Sequence, residues 1–506
     1  MIEHYLDTHF SSARTLQEQI REKLIKTILS GCIPSDEALP SSRKLAQTLN
    51  VSRNTILCIY ESLIDDGYLI SKKRQGYFVS PDFNGDNFTP QQQISKSSTK
   101  LVPSNKKNDV APGGITADAA QWKSRFKQAP SVQSNIIKPK NWADYEYPFI
   151  YGQVQQNQFP IQHWRNSLRT MMGNAVVGDW IHDNVDRDDP ALIEQLRTRI
   201  LPRRGIYVKS DEILMTMGTQ NSLFLIAKLL IDKTTKVAVE NPGFRDAHNI
   251  FKSFDGELTL HNVDENGLIV DDTLSDSDYV FVTPGHQVPT GAVLSADRRR
   301  KLMNKAIEND FIILEDDYDS DINLNEESMP ALKSADPNGR VVYMGSLSKL
   351  VAPGLRMGYI VAAPALIEEL RGLRRLIYRH PPTNNQRTTA HFIAQGFYDT
   401  HLRKTRELNR EKRDVMMNAI HQTMPENLVS FSIEPQSSFW LKLGEHQDSE
   451  LLRYEAEKKS ILVEPGNIHY LGVNEPNNYF RLGFSAINKE KITPGIHALS
   501  RLIDDL

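Results

Sequence analysis

Residues 341–359 read VVYMGSLSKLVAPGLRMGY. The apolar first half predicts a buried strand, and the strand runs into a polar end that contains Lys349. Similar apolar runs lie upstream, separated by stretches with helical spacing. Strands that alternate with helices indicate a mostly parallel α/β sheet. The candidate strands are Ile213–Met217, Val237–Glu240, Tyr279–Thr283, Phe311–Glu315 and Val341–Gly345.

Polar groups follow three of these strands in an order that suits the chemistry of pyridoxal 5'-phosphate (PLP). Ligands of open α/β sheets collect at the carboxyl ends of strands. PLP requires a lysine for imine formation, a carboxylate for its pyridine nitrogen, and donors for its phosphate. Lys349 follows one strand, and the acidic segment 315–318 ends another. The segment 217–220 follows a third strand and opens a helix, whose backbone N–H groups suit a phosphate.

Each of these pieces has another interpretation when it is taken alone. A lysine that follows two serines is usually a surface residue. The neighbouring aspartates are equally compatible with a divalent-metal site, and these are Asp316, Asp317, Asp319 and Asp321. A metal site would need converging carboxylates elsewhere, and no companion motif stands out. Taken together, the pieces favour a PLP site and no metal.

The first 80 residues predict a small DNA-binding domain. Their order is helix, short turn, helix and β-hairpin, which is typical of a winged helix-turn-helix. The second of the paired helices presents Arg53 and Asn54 in its first turn, and these types read guanine and adenine. A basic turn between the two strands suits backbone phosphates. The candidate DNA-contacting residues are Ser41, Arg43, Ser52, Arg53, Asn54, Thr55, Lys72, Lys73, Arg74 and Gly76.

Composition sets the wider limits. The chain has 506 residues, of which 39% are hydrophobic, and a formal charge of -3, so DNA affinity must come from a local patch. Cys32 and Cys58 fall among apolar neighbours, so we expect buried thiols and neither a disulfide framework nor a zinc site. The N-terminus lacks the apolar region of a signal peptide, and no apolar run approaches the roughly 18 residues of a membrane span. A location in the reducing cytoplasm is expected.

A change of composition separates the two modules. From residue 81 to about residue 115 the chain is rich in Gln, Ser, Asn, Pro and Gly. Such a segment cannot bury enough apolar surface to offset its ordering entropy. We therefore predict a DNA-binding domain over residues 1–80, a largely flexible linker over 81–144, and a PLP-binding effector domain over 145–506.

Specific motifs extend these inferences. Residues 39–79, LPSSRKLAQTLNVSRNTILCIYESLIDDGYLISKKRQGYFV, resemble the winged helix-turn-helix of the GntR family. The second module resembles the fold-type I aminotransferases, specifically the MocR (GabR-like) branch of GntR regulators. That resemblance is carried by YPFIYGQVQQNQFP (147–160), MTMGTQNSL (215–223), ENPGF (240–244), TPGHQVPTG (283–291), ILEDDYDSD (313–321), YMGSLSKLVAPGLRMGY (343–359) and FRLGF (480–484).

The resemblance implies a fold and a set of roles. The fold is an α+β winged helix-turn-helix head plus an α/β fold-type I body with a mostly parallel sheet and a smaller C-terminal α/β subdomain. Lys349 is expected to form the internal aldimine with PLP, Asp316 to pair with the pyridine nitrogen, and Tyr318 to bind the ring oxygen near His286 and Gln287. Phe244 is expected to stack on the ring, and Arg481 to clamp a ligand carboxylate. The expected phosphate ligands are Gly218, Thr219, Ser346, Ser348 and Arg356.

Two functions are compatible with these motifs. The first is a regulator that binds a double-stranded DNA operator as a homodimer and senses an amino acid or related amine through external aldimine formation. The second is a working aminotransferase whose head controls its own gene. Val288 stands where typical aminotransferases have the Asn that supports the ring oxygen, which favours the regulator over the enzyme. Amino acids, a diamino acid and an aminosulfonate such as taurine all suit Arg481 as effectors.

Overall fold

The computed structural model gives the arrangement of most of the chain. The described residues are 15–73, 75–81, 121–319, 324, 329–425, 428–430, 436–473 and 475–506. The chain divides into two compact units, Met1–Ala119 and Ala120–Leu506, and each is described by itself. Arg74 and Asp321 lie outside the described residues, as does most of the predicted linker, from 82 to 120.

The first unit has the predicted order of three helices and a hairpin. Side chains cap the paired helices, because the hydroxyl of Ser41 accepts a hydrogen bond from the Lys44 N–H at 3.2 Å and that of Ser52 accepts one from the Thr55 N–H at 3.1 Å. Gly67, with φ at +79°, turns the chain from the last helix into the hairpin. The elements are α1 (Leu16–Leu29), α2 (Ser42–Thr48), α3 (Arg53–Asp65), β1 (Leu69–Lys72) and β2 (Gly76–Val79), with β1 and β2 antiparallel.

One expectation about this unit is wrong. Cys32 and Cys58 are both exposed free thiols. Cys32 follows the end of α1, where its Sγ lies 3.1 Å from the Ser30 hydroxyl. Cys58 is on α3, and the helical period places it away from the face that buries Ile56, Ile59 and Tyr60. The apolar sequence neighbours of Cys58 are therefore no sign of burial, because the helical period turns Cys58 to a different face from theirs.

The second unit is built on a large, mostly parallel sheet, as predicted. Its strand order is β4-β11-β10-β9-β8-β5-β6-β7, in which β5, β6, β8, β9 and β10 form the parallel part. The strands are β4 (Ile213–Thr216), β5 (Lys236–Asn241), β6 (Glu257–Asp264), β7 (Gly267–Leu268), β8 (Tyr279–Val282), β9 (Ile312–Asp317), β10 (Val341–Ser346) and β11 (Gly358–Val361).

Helices cover this sheet and form separate apolar clusters with it. One cluster joins Leu223 and Ile226 of the sheet-covering helices to Leu314 and Met344 of the strands, all of them buried. The helices of the unit are α4 (Trp122–Arg125), α5 (Ile161–Met171), α6 (Asn174–Val177), α7 (Pro190–Gln195), α8 (Thr219–Leu230), α9 (Arg245–Ser253), α10 (Ala296–Glu308), α11 (Ser348–Val351), α12 (Pro364–Tyr378), α13 (Thr383–Ala394), α14 (Phe397–Thr423), α15 (Ser449–Lys458) and α16 (Lys489–Asp504).

A smaller α/β layer ends the chain. Its sheet has the order β12-β13-β16-β15, and a two-stranded parallel pair joins β14 to β3 near the start of the unit. The strands are β3 (Tyr147–Pro148), β12 (Val429–Ser430), β13 (Ser438–Lys442), β14 (Ile461–Leu462), β15 (Glu464–Pro465) and β16 (Tyr479–Gly483). α14, α15 and α16 pack on this sheet around Phe480 and Leu482, which are both buried.

The C-terminal part of the predicted linker belongs to the second unit. The Gln128 side-chain amide donates a hydrogen bond to the Ser253 carbonyl at 2.9 Å, and Asn249 donates one to the Ser134 carbonyl at 2.8 Å. The segment 128–135 is therefore held along α9. In the described part of the chain, every helix falls short of the length and apolarity that a membrane crossing demands.

Candidate functional site

A cavity of about 370 Å³ opens where β4, β9 and β10 end. Side chains from distant parts of the sequence meet there because neighbouring strands end at the same edge of the sheet. Ten of the twelve predicted PLP and effector residues line it: Gly218, Thr219, Phe244, Asp316, Tyr318, Ser346, Ser348, Lys349, Arg356 and Arg481. The remaining lining residues are Ile136, Lys138, Tyr151, Gly152, Gln220, Asp246, Val288, Pro353 and Glu464.

The carboxylates of residues 315–317, at the end of β9, lie on two opposite faces of the sheet. The Glu315 carboxylate accepts hydrogen bonds from the backbone N–H groups of residues 332 and 333 at 2.8 and 2.9 Å. Asp317 binds the Arg204 guanidinium at 2.8 Å and the Tyr343 hydroxyl at 2.8 Å. Asp316, between them, points the other way, because successive side chains of a strand alternate. Its buried Oδ1 has no hydrogen-bond partner among the described residues.

The unpartnered oxygen makes Asp316 fit the pyridine end of PLP. Burial, reinforced by the charge of Asp317, raises the pKa of Asp316 to about 8. A buried carboxylate without a donor is costly, and a protonated pyridine nitrogen supplies both the missing hydrogen bond and the opposite charge. In the described chain, no group of three or more His, Cys, Asp or Glu side chains converges as a metal site would require.

Lys349 faces this aspartate across the cavity. Its Nζ lies 3.9 Å from the centroid of the Tyr151 ring and 5.4 Å from that of Tyr318. Burial of the amine lowers the pKa of Lys349 to about 7, and the positive charges of Lys138 and Arg481 act in the same direction. A large part of the amine is therefore unprotonated near neutral pH. An unprotonated amine is the form that attacks an aldehyde.

The end of the cavity at β4 suits a phosphate. Gly218 has φ at +87° and precedes α8, whose first backbone N–H groups have no helical partners. A Cβ at Gly218 would lie 2.9 Å from Nη2 of Arg356, so only glycine allows the guanidinium to lie so close. Arg356 now donates to the Met217 carbonyl at 3.1 Å. The Ser348 hydroxyl is bonded to both backbone groups of Met357, so it already has partners.

His286 and Gln287 do not line the cavity, although we predicted both beside the ring oxygen. The His286 ring lies 3.7 Å from the Asp319 carboxylate, and its backbone carbonyl accepts a hydrogen bond from the Tyr318 hydroxyl at 3.1 Å. Gln287 is buried, and its amide donates to the Pro242 carbonyl at 2.8 Å. A buried amide must satisfy its hydrogen bonds, which turns Gln287 away and leaves Val288 at the cavity wall.

Arg481 reaches the opposite wall and is already paired. Its Nη1 lies 3.3 Å from the Glu464 carboxylate, its Nε donates to the Ser438 hydroxyl at 2.8 Å, and its guanidinium carbon lies 3.8 Å from the Tyr151 ring centroid. Burial opposes ionisation of Glu464, but Arg481 and His469 hold the pKa of that carboxyl well below its usual range. The pair is therefore a fixed guanidinium with its charge offset by a carboxylate.

Among the lining residues that sequence reasoning missed, three contribute a charge or a ring next to Lys349 or Arg481. Tyr151 lies within the quoted motif 147–160, which was the signal that could have identified it. Glu464 meets Arg481 because β15 and β16 are paired antiparallel with these two residues in register, and no local pattern reveals such a pairing. Lys138 lies in the segment that we predicted as linker.

The predicted DNA-contacting residues that the structure describes lie on one small unit. Arg43, Arg53, Asn54, Lys72 and Lys73 are all exposed. Ser41 and Ser52 use their hydroxyls as helix caps, so they fix the starts of α2 and α3. Thr55 is half-buried, and Gly76, with φ at +112°, begins the second strand of the hairpin.

Comparison with known proteins agrees with both units. Residues 16–79 match the family described as "Bacterial regulatory proteins, gntR family", and residues 152–499 match "Aminotransferase class I and II". The chain is 34% identical to "HTH-type transcriptional regulator TauR" of Rhodobacter capsulatus, over 97% of this chain and 96% of that protein. It is 26% identical to "Probable rhizopine catabolism regulatory protein MocR" of Rhizobium meliloti, over 96% and 93% of the two chains.

A solved structure agrees with the fold of the second unit. Kynurenine aminotransferase of Pyrococcus horikoshii, crystallised with PMP, superposes with a TM-score of 0.69 at 25% identity. The match covers 76% of this chain and 98% of that one. Fold and cavity therefore define a helix-turn-helix protein whose body is a fold-type I aminotransferase domain. The cofactor of this body is PLP.

The chain belongs to the MocR subfamily of GntR-type transcription regulators, in which an aminotransferase class I and II domain follows the helix-turn-helix. Its first unit binds DNA, as GntR helix-turn-helix domains do.

Proposed function

We propose that the protein is a PLP-dependent transcription regulator that senses an amino acid or related amine through external aldimine formation. The observation that carries the proposal is the cavity itself, where the amine of Lys349 faces a carboxylate that lacks a partner. Because a DNA-binding unit lies in the same chain, the reaction of a ligand amine in this cavity could regulate DNA binding. We propose that the protein acts in the cytoplasm, because a regulator must reach the DNA that it binds.

The chain's own residues supply the parts of this sensor. Lys349 offers an unprotonated amine for the covalent bond with PLP, and Asp316 holds a proton on the pyridine nitrogen. We expect the Tyr318 hydroxyl to bind the ring oxygen and Phe244 to stack on the ring, since both residues line the cavity. The expected phosphate ligands are Gly218, Thr219, Ser346, Ser348 and Arg356. When bound, PLP supplies an aldehyde carbon to which an amine bonds as an imine. A second amine can replace the first one at that carbon.

The exchange explains how a ligand can act on the DNA-binding unit. The ligand's amine takes the place of Lys349, whose side chain is released as a free amine. A ligand shifts an equilibrium only through different affinities for two states. We propose that the two states differ in the position of the buried Lys349 amine relative to the charged groups that act on it, which are Asp319, Lys138, Arg481 and Asp316.

The same cavity supports an alternative, a working aminotransferase with an autoregulatory head. The likeness to kynurenine aminotransferase favours it. Val288 at the cavity wall disfavours it, because an apolar side chain cannot hold the ring oxygen as an amide does. We therefore propose that the body is a sensor and not an enzyme.

The proposal extends to the arrangement of the protein on DNA. A homodimer carries two heads, which bind two half-sites of one operator. We propose a head over 1–80, a linker over 81–144 and a body over 145–506. The contacts on bases come from Arg53 and Asn54, and the Thr55 hydroxyl contacts a base or a phosphate. The other phosphate contacts come from the basic wing, which includes Lys72, Lys73 and Arg74.

Operator binding tests the proposal. The wild-type protein, loaded with PLP, is titrated on its own promoter DNA with and without a panel of amino acids and amines, beside Lys349→Ala and Lys233→Ala. Lys233 is exposed and lies outside the cavity. We expect one amine to change the operator affinity of wild type and Lys233→Ala, and to leave that of Lys349→Ala unchanged. An equal response of all three proteins refutes sensing through Lys349, and steady turnover of an amino acid with a keto acid supports the enzyme.

A further inference from the structure

The chain that leads from the linker into the body passes through the cofactor cavity. The Ser134 carbonyl accepts hydrogen bonds from Arg245 at 3.2 Å and from Asn249 at 2.8 Å, and the Asn135 side chain accepts one from Asn249 at 3.0 Å. These contacts fix residues 134–135 on α9. Lys138 follows three residues later and lines the cavity.

Lys138 lies beside the reactive lysine. Its ammonium donates to the Tyr151 carbonyl and lies 5.6 Å from the Tyr151 ring centroid. A Cβ on Gly152, whose φ is +76°, would be 3.3 Å from the Nζ of Lys349 and 3.4 Å from that of Lys138. The two amines therefore flank one glycine, and a small molecule bound to one of them is within reach of the other.

The cations of the cavity differ in how their charge is offset. Arg481 is paired with Glu464 at 3.3 Å, and Lys349 has Asp319 and Asp316 as its neighbouring carboxylates. Lys138 makes no ion pair with any described residue, and the carboxylates that act on it, Glu464 and Asp246, do so from a distance. A cation that is partly removed from water without an ion-pair partner is costly, even when a carbonyl accepts one of its hydrogen bonds. An anion placed beside Lys138 lowers that cost.

The geometry points to a role for Lys138 as the residue that receives the acidic group of the ligand, a carboxylate or a sulfonate. This inference rests on the proposed function, because the amine of the same ligand reacts at the position of Lys349. Arg481 contributes less to the preference for an anionic ligand than a free arginine would, because the carboxylate of Glu464 already offsets its positive charge. Ligand binding at Lys138 also involves the segment 134–138, which connects the linker to the rest of the body. The preferred ligand is thus a short amine with an anionic group.

Three probes of similar length separate the parts of this inference. β-Alanine carries a carboxylate, 2-aminoethanesulfonate carries a sulfonate, and propylamine has the amine alone. Each is titrated into the PLP-loaded protein, and the visible absorbance of the cofactor reports the reaction of the amine. For wild type we expect at least one acidic probe to act at a concentration lower than propylamine by on the order of 10- to 100-fold, as expected for a hydrogen bond to a charged group.

The variants are Lys138→Met, Lys138→Arg and Lys140→Met. Lys140 is exposed and provides the matched control. We expect Lys138→Met to lose the preference for the acidic probe over propylamine, compared within the same protein, whereas Lys138→Arg and Lys140→Met keep it. A preference that survives in Lys138→Met overturns the inference and leaves the proposed function intact. A wild-type protein whose cofactor responds to none of the amines overturns both.

Hydrogen exchange provides a readout that does not depend on the cofactor's absorbance. With the preferred acidic probe we expect slower exchange over residues 134–140 in wild type and no slowing in Lys138→Met. Equal slowing in both proteins would mean that the ligand orders this segment without Lys138, which contradicts the inference.

Discussion

At the scale of single residues, the site depends on one carboxylate that differs from its neighbours. Glu315, Asp317 and Asp319 each accept a hydrogen bond from a donor of the chain, although Oδ1 of Asp319 has no partner among the described residues. Asp316 has an unpartnered Oδ1 and no such bond there. The sequence predicted that Asp316 holds the cofactor, but a cluster of acidic residues was equally compatible with a metal. The alternation along β9, together with the lack of converging metal-ligand side chains among the described residues, separates the two interpretations.

Asp316→Asn tests this assignment. An amide cannot balance the charge of a protonated pyridine nitrogen, so we expect PLP affinity to fall on the order of 10- to 100-fold. Cofactor absorbance during PLP titration of the apoprotein measures the loss. Asp276→Asn changes an exposed aspartate that pairs with Lys236 and serves as the control. Equal PLP affinity of Asp316→Asn and wild type contradicts the role of Asp316.

The lowered pKa of Lys349 predicts a pH dependence. The ammonium form cannot attack an aldehyde, and burial holds the pKa at about 7 in place of the ordinary 10.5. The rate at which the apoprotein captures PLP should therefore rise with pH and level off above about pH 8, since the amine is then largely unprotonated. Stopped-flow absorbance across this range measures it. A rate that keeps climbing tenfold per pH unit up to about pH 10 would mean that the amine titrates like a solvated lysine.

At the scale of elements, the sequence predicted the strands and the capped helices, and it missed the contacts between distant elements. The motif from Val341 to Tyr359 is local, so its strand and turn could be inferred from its own residues. The pairing of Glu464 with Arg481 depends on how β15 and β16 align, and the entry of Lys138 into the cavity depends on the packing of residues 128–135 along α9. Such contacts arise from tertiary packing and leave no periodic signal in the chain.

Two residues at the start of α3 should have different effects when they are replaced, one on stability and the other on DNA binding. Ser52 caps the helix, so Ser52→Ala should destabilise the first unit by about 1 kcal/mol. Asn54 is exposed, so Asn54→Ala should change stability by less than about 0.5 kcal/mol and weaken operator binding by about 1–3 kcal/mol. Thermal unfolding and operator titration measure the two effects. If Asn54→Ala binds operator as wild type does, α3 does not read bases through this residue.

At the scale of the whole molecule, one chain joins a DNA-binding unit to a body whose chemistry centres on one lysine. The family explains why both modules occur together, and the cavity explains what the body can detect. The central claim is that the amine of Lys349 holds PLP and gives up its place to a ligand. Lys138 lines the same cavity, so the claim requires that the two lysines be told apart.

Borohydride reduction followed by peptide mass mapping makes this distinction. Reduction fixes PLP on whichever amine holds it at that moment. We expect the phosphopyridoxyl group on the peptide that contains Lys349, and we expect it to be lost from that peptide when a responsive amine is added before reduction. A label on Lys138 or another lysine, or a label on Lys349 that no amine removes, contradicts the account.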